Sequence, residues 1–94
     1  MKSADGTLVP MSIIHPKDLA LDGSAPGLLD GYQAYGGVDK PYFNPISLSF
    51  AERGVRASCH GRGSGTKGKR WHLDGIKLKK EHGVDDLIAC AEYL

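Results

Sequence analysis

The chain has 94 residues, enough for one small domain or part of a larger one. Its 12 Lys and Arg against 11 Asp and Glu give a net charge of +1, and 24% charged with 40% hydrophobic residues is the makeup of a folded protein, not a disordered tail. No apolar run approaches the roughly 18 residues of a membrane span, residues 1–6 hold no apolar core for a signal peptide, and Cys59 and Cys90 are too few for a disulfide scaffold, so reduced thiols in the cytoplasm are the expectation.

Residues 7–14, rich in Leu, Val, Met and Ile after the Asp5-Gly6 turn signal, predict a strand. Pro10 cannot donate to a ladder, which implies either a sheet edge or a position where no N–H is paired. Residues 20–27, with Asp22-Gly23-Ser24 and Pro26-Gly27, read as a loop. Residues 27–32 predict a short strand running into a Gly-rich bend. Residues 35–45 form a long connection containing Gly36-Gly37, Pro41 and Pro45. Pro45 suits the first turn of a helix over 46–53, stopped by Gly54. A strand should follow at 55–60, but Arg56 is costly to bury without a partner and makes it a poor core strand. Residues 61–68 are Gly-rich. Residues 83–94 predict the clearest helix: Val84, Leu87, Ile88, Ala91 and Leu94 form one apolar stripe. Asp85 and Asp86 then fall in its first turn, where the helix macrodipole favours acids. The order strand, strand, helix, weak strand, helix points to an α/β or α+β fold.

The charge is unevenly spread. Residues 1–52 hold three lysines against six acids, a net −3. Residues 53–80 hold nine basic residues against Asp74 alone, a net +8, and residues 81–94 carry −4. The block 53–80 could attract polyanions. Trp71 is its sole aromatic, so it lacks the platforms on which nucleic-acid bases stack, and a solvated surface is the simpler reading.

Gly63-Ser64-Gly65-Thr66-Lys67-Gly68-Lys69-Arg70 fits both G-x-G-x-x-G and G-x-x-x-x-G-K. Arg70 stands where a P-loop needs Ser or Thr for Mg²⁺, and the strand before it is weak, so nucleotide binding is not expected. The four histidines, His15, His60, His72 and His82, show no metal-ligand spacing, and Cys59 and His60 would face opposite sides of a strand. Neither a metal nor another cofactor is expected. None of the serines at 3, 12, 24, 47, 49, 58 and 64 sits in a nucleophile elbow.

Several stretches together resemble the prolyl oligopeptidase family of serine peptidases. They are Asp5-Gly6-Thr7-x-Val9-Pro10, Leu21-Asp22-Gly23-Ser24-x-Pro26, Gly31-Tyr32-x-x-Tyr35-Gly36, Arg53-Gly54, His60-x-Arg62-Gly63-x-Gly65-x-x-Gly68-x-x-Trp71, Leu78-Lys79-Lys80, and Asp86-x-Ile88-Ala89-Cys90-Ala91-Glu92-Tyr93-Leu94. The likeness runs through nearly the whole chain in order. It implies a partial α/β-hydrolase-like sheet, of parallel type, with flanking helices: a single partial domain over 1–94 that opens a peptidase catalytic domain, without the family's β-propeller. Tyr32 matches the family's oxyanion-hole tyrosine, whereas by itself it reads as a half-buried aromatic at a strand end. The glycines of 60–68 match a loop near the family's active site.

The family's catalytic Ser, Asp and His lie past the end of this chain. The resemblance therefore implies a truncated piece of a peptide-cleaving enzyme, inactive alone and prone to self-association through uncovered strands. Gln33 stands where the family usually has Gly, which predicts strain beside Tyr32 if φ there is positive. Residues 55–59 are one residue shorter than the family's strand, with Arg56 and Ser58 in place of apolar core. Gly61, Ser64, Thr66 and Lys67 also depart from the family's loop. Such a patch between well-matched flanks suggests a compensated reading-frame error or a decaying gene copy. The alternative from another class is a non-enzymatic polyanion or nucleic-acid binding module using 53–80.

Overall fold

The computed structural model describes residues 1–38, 40 and 43–94. Of the 35–45 connection, Asp39, Pro41 and Tyr42 lie outside the described residues. Among the described residues three strands form one sheet: β1 (Met11–Ile14), β2 (Gly27–Asp30) and β3 (Val55–Cys59), in the order β1-β3-β2. β3 is antiparallel to β1, with Met11 opposite Cys59 and Ile14 opposite Arg56. It is parallel to β2, with Gly27 beside Val55 and Asp30 beside Ser58. The sheet is thus mixed, not wholly parallel. The parallel pair needs a crossover, and the segment carrying helix α1 (Pro45–Ala51) provides it.

The first strand is shorter than its apolar run predicts, and Pro10 is the reason. Val9 donates its N–H to the Met1 carbonyl at 2.9 Å and is 2% exposed. Pro10 has no N–H to continue a ladder, but its carbonyl accepts from the His60 N–H at 3.0 Å. Pairing with the N-terminal segment ends there and pairing with β3 begins. β1 occupies a sheet edge, one of the two placements that Pro10 implies.

The predicted weak strand is the centre of the sheet. Strand alternation sends Ala57 and Cys59, fully buried, to one face and Arg56, Ser58 and His60 to the other. Arg56 is tolerated because Nη2 donates to Asp30 at 3.3 Å and Nη1 to Ser58 at 3.4 Å. β3 is two-faced, and reading it as a core strand of uniform polarity underrates it.

Helix α1 begins where Asn44 caps it: Oδ1 accepts from the N–H groups of Ile46 and Ser47 at 3.0 and 3.4 Å, with Pro45 at the first position. The helix ends at Ala51. Gly54 serves a close approach: a Cβ there would collide with the Pro26 carbonyl, which accepts the Val55 N–H at 2.9 Å.

Helix α3 (Glu81–Tyr93) is present but turned from its predicted face. Gly83, Asp86 and Cys90 are buried and Leu87 packs on the core, whereas Val84 and Ile88 are half exposed. Glu81, not Asp85 or Asp86, is the acid of the first turn. The core consists of Val9, Cys59, Trp71 and Cys90, flanked by Met1, Met11, Leu29 and Leu87. No described helix is long and apolar enough to cross a membrane.

Cys59 and Cys90, expected as thiols, form a disulfide. Packing α3 across β3 brings their Cα atoms to 6.1 Å, within bonding range, a proximity that a count of cysteines does not reveal. The bond joins the central strand to the last helix across 31 residues. For a loop of that length, chain entropy alone stabilises the fold by about 3.5 kcal/mol. Urea unfolding with and without dithiothreitol should therefore show a loss of that order on reduction. Cys59→Ser should show the same loss without reductant.

Candidate functional site

In a sheet with parallel strands, sites form in the loops at the carboxyl ends of those strands. Here β2 leads into the Tyr32 loop (31–37) and β3 into the glycine loop (60–68). The two loops are joined backbone to backbone. Gly36 N–H donates to the Gly63 carbonyl at 3.1 Å, and Gly65 N–H to the Gly37 carbonyl at 2.9 Å. Such an approach excludes side chains. A Cβ on Gly63 would strike the Gln33 carbonyl, and one on Gly65 the Gly36 carbonyl; Gly63 also has φ +100°. Gly63 and Gly65 therefore dock one loop on the other.

Tyr32 lies on the resulting platform with its ring against Gly37 and 56% exposed. The strain expected at Gln33 falls elsewhere: the positive φ values in this loop belong to Tyr35, at 52°, and Gly36. Gln33 instead fills space that only glycines leave, packed against Gly61 and Gly83, while its carbonyl accepts from Lys80 Nζ at 3.1 Å.

The glycine loop is anchored by Arg62, which is 5% exposed. Its Nε and Nη2 donate to the two carboxylate oxygens of Asp86 at 3.0 and 2.7 Å, and its backbone N–H donates to Asp86 Oδ2 at 2.8 Å. Nη1 reaches Asp5, and Nη2 lies 3.4 Å from Ser3 Oγ. Burial by itself would raise the Asp86 pKa, but the hydrogen bonds from Arg62 and Ser3 outweigh it and hold the carboxyl below its ordinary value. The Arg62 hydrogen bond, helped by the Thr7 N–H, holds Asp5 far below the carboxylate range. Hydrogen bonding to Asp86 keeps Arg62 above its ordinary value against the opposing effect of burial. Asp86 was legible as a macrodipole residue and as part of a stretch that resembles the family, but not as a buried partner; its spacing from Gly83 and Cys90, three before and four after, is the signal that places it on the buried face.

Four of the loop's amides are spent on the fold. Gly63 N–H goes to Trp71 O, Ser64 N–H to Gly61 O, Gly65 N–H to Gly37 O and Gly68 N–H to Gly65 O. Helix α2 (Lys69–Leu73) has only five residues. Its Trp71 donates Nε1–H to the Gly61 carbonyl at 2.9 Å, and Lys67 Nζ sits 4.5 Å above the indole. The basic stretch 53–80 is partly spent on the fold as well. Arg56 and Arg62 are in ion pairs, Lys79 pairs with Asp74, and Lys67 and Lys80 bond backbone carbonyls.

Among the described residues no three His, Cys, Asp or Glu side chains gather as a metal site. One Ser–His contact that the spacing does not announce is present: Ser12 Oγ lies 2.8 Å from His60 Nε2. His60 Nδ1 has no partner among the described residues, so the orienting carboxylate of a triad is missing there.

The model of the prolyl oligopeptidase family matches residues 41–94. The chain is 39% identical over 95 residues to the dual function macrocyclase-peptidase POPB of Amanita bisporigera, covering 99% of this chain and 13% of that one. It is 38% identical over 93 residues to the prolyl endopeptidase of Elizabethkingia meningoseptica, with 98% and 13% covered. Among solved structures, prolyl oligopeptidase B from Galerina marginata superposes with a TM-score of 0.94 at 35% identity, over all of this chain and 14% of that one. The chain thus spans about an eighth of the length of these relatives.

The buried ion pair sets an acid limit. Because the folded pKa of Asp86 is depressed, its stabilisation is complete above the unfolded value of about 4 and is lost as pH falls through the lower folded value. Urea midpoints should drop below pH 4 for the native chain. Arg62→Met, which strands a buried carboxylate, should cost about 3–5 kcal/mol at pH 7, and adding Asp86→Leu should recover much of that loss.

Proposed function

The chain belongs to the prolyl oligopeptidase family, and on that premise we propose that it is the opening segment of a serine-type peptidase catalytic domain in which Tyr32 donates to the oxyanion. The observation that carries this reading is the docked loop pair. Tyr32 stands at the carboxyl end of β2 with an exposed ring, on a platform fixed by the Gly36–Gly63 and Gly65–Gly37 hydrogen bonds. In acyl transfer, charge develops on the carbonyl oxygen as a nucleophile attacks. A phenol already held in place stabilises that charge without reorganising.

The peptide bond is the substrate class that the names of the relatives support: prolyl endopeptidases and a macrocyclase-peptidase. The nucleophile and its base would come from sequence beyond these residues. The 94 residues alone would hydrolyse nothing, since Ser12–His60 lacks a third member. They would also associate. Leu28 on the edge strand β2, and Val84 and Ile88 on α3, are 42%, 55% and 51% exposed, and such surfaces recruit partners.

The isolated chain should release no p-nitroaniline from a prolyl anilide above a buffer control. Turnover sensitive to a serine-directed inhibitor would overturn that expectation. The role of Tyr32 is checked by placing residues 1–94 in the matching segment of the Elizabethkingia meningoseptica enzyme. Against that chimera, Tyr32→Phe should lower kcat by about 10²-fold with little change in KM. Equal kcat values would remove Tyr32 from the oxyanion hole.

A further inference from the structure

Gly63 is held from both sides by helix α2. Its N–H donates to the Trp71 carbonyl at 3.0 Å, and its own carbonyl accepts from His72 Nδ1 at 2.7 Å. The same carbonyl accepts the Gly36 N–H at 3.1 Å, one of the bonds that dock the Tyr32 loop on the glycine loop. A carbonyl oxygen has two lone pairs and nothing to donate, so it takes both bonds and His72 Nδ1 carries the proton. We propose that His72 is a positioning residue for Tyr32, fixing through the Gly63 carbonyl and Gly36 the loop on which the phenol stands. The proposal rests on the reading of Tyr32 as the oxyanion donor.

The contacts from His72 to Tyr32 are continuous. The imidazole backs Gly36: a Cβ built there would lie 3.6 Å from His72 Cγ. Gly37 follows, and a Cβ there would lie 3.4 Å from Tyr32 Cδ1. Tyr35, immediately before Gly36, has φ 52°, a conformation that persists in a side-chain-bearing residue only where its surroundings hold it. His72 is itself held, because its neighbour Trp71 is buried and donates Nε1–H to the Gly61 carbonyl at 2.9 Å. Trp71 thus anchors α2 to the glycine loop, and His72 extends that anchorage to the Tyr32 loop.

A donor stabilises an oxyanion only if it already stands where the charge develops. Misplacement by about 1 Å, caused from outside the chemistry, can cost as much as 10²-fold. Losing the His72 tether should therefore appear in kcat, where the transition state is read, and much less in KM.

The test uses the Elizabethkingia meningoseptica chimera carrying residues 1–94, with kcat counted per active site titrated by a serine-directed inhibitor, so that unfolded enzyme does not contribute. His72→Leu should lower kcat about tenfold with KM nearly unchanged. His72→Asn, whose Nδ2–H occupies the place of the imidazole Nδ1–H, should recover most of that loss. In a Tyr32→Phe background His72→Leu should cost little more, because the group it positions is gone. If Tyr32→Phe by itself leaves kcat unchanged, the oxyanion reading fails and the positioning role goes with it. If Tyr32→Phe lowers kcat but His72→Leu does not, if the two losses multiply, or if His72→Asn recovers nothing, the positioning role alone is overturned. The native chain supplies a readout that needs neither turnover nor a variant. Its long-range ¹H–¹⁵N spectrum, recorded with the ring neutral, should show the His72 proton on Nδ1, and a proton on Nε2 would overturn the tether.

Discussion

Arg62 against Asp86 is the contact on which the rest of this structure hangs. A guanidinium that is 5% exposed and a carboxylate with no exposure at all can be buried only together. Their union fixes where α3 crosses the sheet, because Asp86 must face Arg62. It also fixes the glycine loop, because the Arg62 N–H binds the same carboxylate. Asp5 and Ser3 bring the N-terminal segment onto the same guanidinium. The disulfide repeats the connection a few residues away, three before Arg62 and four after Asp86. Strand and helix are thus joined twice, by a bond that reductant breaks and by an ion pair that acid breaks.

That arrangement explains which parts of the fold were legible in the sequence. Helix α3 was, because apolar residues recur at helical spacing. Its buried face was legible at Leu87 alone, because the periodicity counts only apolar residues. The positions that meet the sheet are a glycine, an aspartate, a leucine and a cysteine. An acid scores as solvent-facing until its partner is known, and Arg62 lies 24 residues away. β3 was misjudged for a related reason. Arg56 and Ser58 look like faults in a buried strand, but they share one face and find Asp30 across the parallel pair.

The candidate site was legible through family likeness more than through local physics. Nothing about one exposed tyrosine among glycines sets it apart from a strand-end aromatic. What the structure adds is the reason for the glycines: two loops from neighbouring strands approach until only backbone separates them. Gln33 shows how a departure from the family pattern is absorbed. Its side chain occupies room beside Gly61 and Gly83, and the left-handed conformation sits at Tyr35 instead.

The strand order has a consequence for how the chain is made. Among the described residues β1 and β2 form no ladder with each other; each pairs with β3, which lies between them and comes last of the three in the sequence. No part of the sheet can assemble until residue 55 has left the ribosome, and the Met11–Cys59 pairing closes a separation of 48 residues. For the several seconds that synthesis takes to get there, two apolar segments stay without their template. Pairings this distant in sequence also form slowly. The nascent chain must therefore be sheltered, or synthesised quickly, if it is to reach the sheet before it reaches another copy of itself.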